Sequence, residues 1–171
     1  MEPSLYTVKA ILILDNDGNR LAGKYFDNQF TSIKEQLDFE KLLFSKTHKA
    51  NSEIIMLDNL TIVYRSIIDL FFYVIGSTSD NEIMLSSVLN CLYDSVSQIL
   101  RKNIEKKNLI DHLDAILLAI DEICDNGILL ETDPSAISQR VSLKDEVPLG
   151  EQTVMDVVKS ARDQLKWSIL R

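Results

Sequence analysis

The sequence predicts an α+β domain built on an antiparallel sheet. Three observations carry that expectation: aliphatic and β-branched runs separated by short polar turns, two capping-box signatures that lead into helical periodicity, and the element order β-β-α-β-β-β-α-α. A further helical tail follows from Glu151.

The first two strands are Tyr6–Leu14 and Arg20–Phe26, joined through the stretch LDNDGNRL at Leu14–Leu21. Such a run could be a calcium loop, whose pattern wants oxygen ligands at positions one, three and five, Gly at six and Glu at twelve. With Gly18 sixth, Ile13 stands first and Lys24 twelfth, a hydrocarbon and a cation where carboxylates belong. DNDGN is therefore a hairpin turn, in which Asp and Asn bond their own backbone and Gly18 takes a positive φ without a Cβ clash.

Ser32, with Glu35 three residues on, starts a helix that runs to about Ser45. Ile33, Leu37 and Phe44 share one face, which is expected to rest on the sheet, while Phe39, Leu42 and Leu43 fall on the far side. A helix on one sheet needs one stripe. The second is open to a partner or to neighbouring loops of the same chain.

Three strands come next, Glu53–Leu57, Leu60–Ser66 and Ile68–Gly76, with a turn at Asp58 and Asn59. Their short connections make them antiparallel neighbours. DLFFYVIG is apolar at consecutive positions, so the last strand is expected to be covered on both faces and to lie in the middle of the sheet.

Ser79 and Glu82 form a second capping box for a helix from Asp80 to about Lys102, with Leu85, Val88, Leu89, Leu92, Tyr93, Val96, Ile99 and Leu100 in one arc. A further helix, about Asn108–Asp125, places Leu109, Leu113, Ile116, Leu117, Ile120, Ile123 and Cys124 on a common face. Asn126 and Gly127 supply its left-handed stop. An extended piece then leads through Pro134 into a short helical turn, and Ser142–Gly150 is a polar connector. In the tail, Val154, Val157, Val158, Ala161, Leu165 and Ile169 form a stripe from which Trp167 and Leu170 project. Trp is the commonest hot-spot residue, so both a partner contact and an intramolecular contact are open for Trp167.

Composition narrows the function. At 171 residues the chain suits one domain, and a formal charge of −8 disfavours phosphate-backbone or charge-driven membrane binding. The basic cluster Arg101, Lys102, Lys106 and Lys107 is interrupted by Asn103 and Glu105 and reads as a solvated helix end. No apolar leader follows the start, so the chain is expected in the cytosol. Cys91 and Cys124 lack CxxC spacing and read as reduced core thiols, and His48 and His112 read as surface residues. No metal or cofactor site is expected.

Enzyme readings fail on inventory. The five glycines, at 18, 23, 76, 127 and 150, write no phosphate-binding loop, and no GxSxG, HExxH or His-paired nucleophile is present. Asp121, Glu122 and Asp125 read as a polar helix face rather than an acid–base pair.

The element order resembles that of the longin (SNARE-like) domain, in which a five-stranded antiparallel sheet carries one helix on one face and two on the other. EPSLYTVKAILILDNDG, FYVIGS, VLNCLYDSVSQILRKNIEK, DEICDNGILLETDP and QLKWSILR resemble the zeta-subunit family of coatomer over essentially the whole chain. LTIVYRS and FFYVIG are similar to the sigma chains and mu N-terminal domains of clathrin adaptors. The resemblance implies a longin domain at 1–142 and a connector with a C-terminal helical tail at 143–171. It also implies a non-catalytic small subunit of the COPI coat, paired directly with the trunk of gamma-coatomer and joined to the beta and delta subunits. Recruitment with the coat by an Arf-family GTPase would make it cytoplasmic and peripheral on Golgi membranes and COPI-coated vesicles, in Golgi-to-ER retrograde and intra-Golgi transport.

The segment after Gly127 continues beyond the end of sigma chains, and no dileucine-cargo pocket can be matched residue by residue, so no cargo site is transferred. The alternative class is a longin-type regulatory module of a small GTPase, which would need a pocket or an exposed sheet edge. Within the coat reading, Phe39, Leu42, Leu43, Trp167 and Leu170 are the candidate partner-binding residues. Trp167→Ala and Leu43→Ser are expected to weaken partner binding more than folding. Leu92→Ala should lower stability by roughly 2 to 5 kcal/mol in chemical denaturation.

Overall fold

A computed structural model describes residues 7–50 and 53–145. Trp167, Leu170 and the expected tail helix lie outside the described residues. The first of two compact units ends at Val141.

Its elements are β1 (Ala10–Asp15), β2 (Arg20–Tyr25), α1 (Ile33–Thr47), β3 (Ile54–Leu57), β4 (Leu60–Ile67), β5 (Leu70–Ser77), α2 (Glu82–Ile99), α3 (Lys106–Asp111), α4 (Leu113–Ile123), β6 (Cys124–Asp125), β7 (Ile128–Leu129) and α5 (Pro134–Asp145). The first five strands make one antiparallel sheet in the order β2-β1-β5-β4-β3. β5 is central, as its uninterrupted apolar run requires.

Period-two alternation assigns the side chains to two cores. Leu12, Leu14, Ile62, Tyr73 and Ile75 point to one face, where Phe39 and Leu43 of α1 cover them. Ile11, Ile13, Val63, Phe72 and Val74 point to the other, against Leu85, Val88 and Leu92 of α2 and Ile116, Ala119 and Ile120 of α4. Ile137 and Val141 of α5 are buried in this second core.

The β1–β2 connection is the expected turn. Asp15 Oδ1 accepts from the backbone N–H of Asp17 at 2.9 Å and of Asn19 at 2.8 Å. Gly18 sits at φ +79°, and a Cβ there would meet the Phe44 ring at 2.8 Å, so both the dihedral and the packing demand glycine. Gly127, at φ +83° in the β6–β7 turn, has a carbonyl that accepts from the N–H groups of Thr7 and Val8 at 3.0 and 3.2 Å.

Two boundaries and one facing differ from expectation. The cap of α2 is Asn81, whose side chain accepts from Ile83 N–H at 2.9 Å, because Asp80 turns back to accept from Ser77 N–H and delays the helix. The expected single helix at 108–125 is broken at His112, at φ −120° and ψ 28°. No Gly or Pro marks that break. What holds it is tertiary: Lys106 N–H at the start of α3 is bonded to both oxygens of Asp69, at 3.2 and 3.1 Å, while α4 is held by the sheet. Leu117, expected inward, is exposed.

The largest correction concerns α1. The capping box at Ser32 and Glu35 is present as expected. Of the stripe expected to rest on the sheet, Ile33 at 71% and Leu37 at 42% exposure face outward instead, while Phe44 packs edge-on against Phe71 as expected. Phe39 and Leu43, expected on the far side, are buried at 6% and 0%. The inward face is completed by Glu40 and Thr47, two polar residues that hide it from any apolar-stripe reading. Leu43→Ser is thus a folding substitution rather than an interface one.

From this orientation, Leu43→Ala should cost about 2 to 5 kcal/mol and Leu42→Ala within about 0.5 kcal/mol of zero in urea unfolding. Equal losses at the two neighbours would place α1 the other way round.

Candidate partner surface

The groups that seat α1 determine which surface remains exposed. Glu40 Oε1 accepts from Tyr25 OH at 2.9 Å and is 3.1 Å from Arg20 Nη1, which also donates to Gln36 Oε1 at 3.0 Å. Burial pushes the Glu40 carboxyl above its ordinary range, against the opposing pull of Tyr25 and Arg20. Further along, Tyr73 OH lies 2.7 Å from Thr47 Oγ1, and Thr47 donates to the Leu43 carbonyl at 2.9 Å. Glu40 Oε1 and Thr47 Oγ1 thereby find partners in the sheet and the helix, while Glu40 Oε2 and the Tyr64 hydroxyl are buried on the same side without a hydrogen-bond partner.

A second anchor joins the turn to α3. Asp15, 2% exposed, pairs with Lys106 Nζ at 2.8 Å. Burial alone would raise its carboxyl, but the Lys106 ammonium and the donors of Asn19 and Asp17 bring it down to about 2.

With α1 seated this way, an open groove of about 440 Å³ runs beside it, lined by Gln29, Phe30, Glu35, Asp38, Phe39, Leu42 and Asp58. Its floor is aromatic: Phe30 packs 4.6 Å from Phe39 and 5.6 Å from Tyr25 between ring centroids. Leu42 stands exposed on the wall. Asp58 and Asn59, at φ 49° and 62°, make a tight turn that sets one rim. Of the residues singled out from sequence, Phe39 and Leu42 meet at this groove, while Leu43 lies beneath it in the core.

Other apolar side chains are exposed where sequence reasoning named none: Ile54 and Met56 on the edge strand β3, Ile68 at the β4–β5 turn and Ile83 at the start of α2. Ile68 also takes φ 53°, a left-handed dihedral that a β-branched residue adopts only under strain. The signal for β3 was available, since IIML is apolar at consecutive positions yet starts a short strand.

Chemistry is sparse across these surfaces. Among the described residues no group of three or more His, Cys, Asp or Glu could hold a metal ion. Cys91 and Cys124 are buried free thiols, and burial pushes both up to about 11, so they are protonated at neutral pH. His48 and His112 are exposed, as expected. Among the described residues no helix is long and apolar enough to cross a membrane.

The fold has a counterpart in a chain of a homology model of the full-length AP-3 complex in a stretched open conformation. That chain aligns at TM-score 0.64 and 13% identity over 92% of this chain and 98% of its own. The family model of the clathrin adaptor complex small chain matches residues 7–148. The sheet with helices on both faces is thus that of an adaptor small chain.

Sequence narrows the class. The chain is 59% identical to coatomer subunit zeta-1 of Homo sapiens, covering 100% of this chain and 97% of the relative. It is 52% identical to coatomer subunit zeta-2 of Homo sapiens, over 99% and 81%, and 40% identical to coatomer subunit zeta-1 of Arabidopsis thaliana, over 96% and 97%. The chain belongs to the coatomer zeta-subunit family.

The Asp15 anchor predicts an acid dependence. Its folded-state carboxyl is depressed, so its stabilisation is fully present above the unfolded value near 3.8 and is lost as pH falls towards about 2. That contribution is on the order of 2 kcal/mol at pH 7. Asp15→Asn should therefore open a stability gap of that size at pH 7 that narrows at pH 2.5, read by denaturant unfolding at both pH values. Glu40, whose carboxyl is raised, has the opposite sign and favours the folded state as pH falls through its value.

Proposed function

We propose that this chain is the non-catalytic small subunit of a COPI vesicle coat, pairing directly with the trunk of gamma-coatomer. It acts there in Golgi-to-ER retrograde and intra-Golgi transport. The observation that carries the reading is the 59% identity to human coatomer subunit zeta-1 across the whole chain. An exposed apolar surface without a metal cluster among the described residues supports it, because a surface built for contact needs shape and burial rather than reactive groups. In the same reading the beta and delta subunits and an Arf-family GTPase are reached through the assembled complex. The chain is cytoplasmic and peripheral on Golgi membranes and coated vesicles. Trp167 and Leu170 remain proposed partner contacts beside Leu42, and 143–171 is the proposed connector and tail.

A partner that binds only the folded chain stabilises it by mass action, about 2.7 kcal/mol at a hundredfold excess over Kd. For a chain of this size that corresponds to a rise in melting temperature of roughly 5 to 10 °C. Purification with and without the gamma-coatomer trunk should show comigration and that rise. Unchanged melting together with separate elution would reject the pairing.

A further inference from the structure

We infer that the groove beside α1 receives an aliphatic side chain of a partner segment that carries Lys or Arg on both sides of it. The inference rests on the coat reading above and specifies the chemistry of one of its contacts. Phe30, Phe39 and Leu42 form an apolar wall and floor, and Glu35, Asp38 and Asp58 are the only charged residues in the lining, all acidic. The carboxylate of Glu35 is engaged by the backbone N–H groups of Thr31 and Ser32, at 3.1 Å each, and keeps its negative charge. Asp38 and Asp58 are exposed, and neither makes an ion pair within the described residues. Lys34 and Lys41 lie one helical turn to either side of Asp38, yet neither lines the groove nor bridges to it.

The occupant follows from that arrangement. An apolar floor of this size suits a Leu, Ile or Met side chain, because a polar tip would find no donor or acceptor among the rings. The unpaired acids attract cations at the rim and repel an acidic segment, which sets register and selects against wrong partners. The groove also adjoins the end of β3. Among the described residues that edge strand pairs only with β4, and its sequence, IIML, carries no Lys or Pro to guard it. The acidic rim of the groove chooses a basic occupant.

The test uses the full chain in complex with the gamma-coatomer trunk. A photo-crosslinking benzoylphenylalanine replaces Gln29, an exposed residue of the lining that is neither one of its rings nor one of its acids. Mass spectrometry should then recover a partner peptide in which an aliphatic residue is flanked by at least two Lys or Arg. In parallel, Asp38→Asn with Asp58→Asn should weaken the complex about 3- to 10-fold at low salt and flatten its salt dependence, since each exposed pair is modest and screened. Leu42→Ala should weaken it roughly 10-fold, and all variants should melt alone as the wild type does. An intact complex without a cross-link at Gln29, a cross-linked peptide lacking Lys and Arg, or unchanged binding by the double Asn variant would overturn the inference. Failure of the wild-type chain to bind the trunk would overturn the coat pairing and this contact together, which distinguishes the two failures.

Discussion

Burial of the central strand on both faces is the constraint from which the rest follows. Leu70 to Gly76 are all buried, so β5 demands a helical cover above and below it. α1 supplies one cover, and α2 with α4 supplies the other. Because β5 and β1 occupy the middle, the short, weakly covered strands are pushed to the edges, and β3 becomes the exposed one. The apolar surface left exposed is a by-product of where that core had to be.

The two faces are closed by different means. α2 and α4 meet the sheet through a mainly aliphatic core, with Leu85, Val88, Leu92 and Ile116 almost entirely removed from solvent, and their polar contacts, Arg65 to Asn90 and Lys24 to Asp121, lie at the exposed margin. α1 meets it through a mixed face, in which Glu40 and Thr47 are held by Tyr25, Arg20 and Tyr73. Buried polar groups specify orientation more sharply than a greasy stripe does, because a helix rotated by one position would leave them unpaired. This lets α1 keep Leu37 and Leu42 outside without ambiguity about which side faces in.

That orientation links fold to function. Under the proposed coat role, what matters is which apolar groups the core leaves behind and what charges stand around them. On the α1 side these are Phe30 and Leu42 within an acidic rim, and at the edge they are Ile54 and Met56. The anchor between Asp15 and Lys106 ties the first hairpin to α3.

Much was legible in the sequence by itself: the hairpin turn around Gly18, the capping box at Ser32, the central position of DLFFYVIG, the aliphatic face of α2 and the family to which the chain belongs. These are local or repetitive signals, carried by turn chemistry, capping and uninterrupted apolar runs, and they survive without knowledge of neighbours. The break at His112 and the facing of α1 were decided only by tertiary structure, whereas the Asn81 cap turned on a local choice, Asp80 bonding back to Ser77. For the break and for α1 the deciding group is distant in sequence: Asp69 for Lys106, and Tyr25, Arg20 and Tyr73 for Glu40 and Thr47. A polar residue that is satisfied across space looks, along the chain, like one that belongs in water.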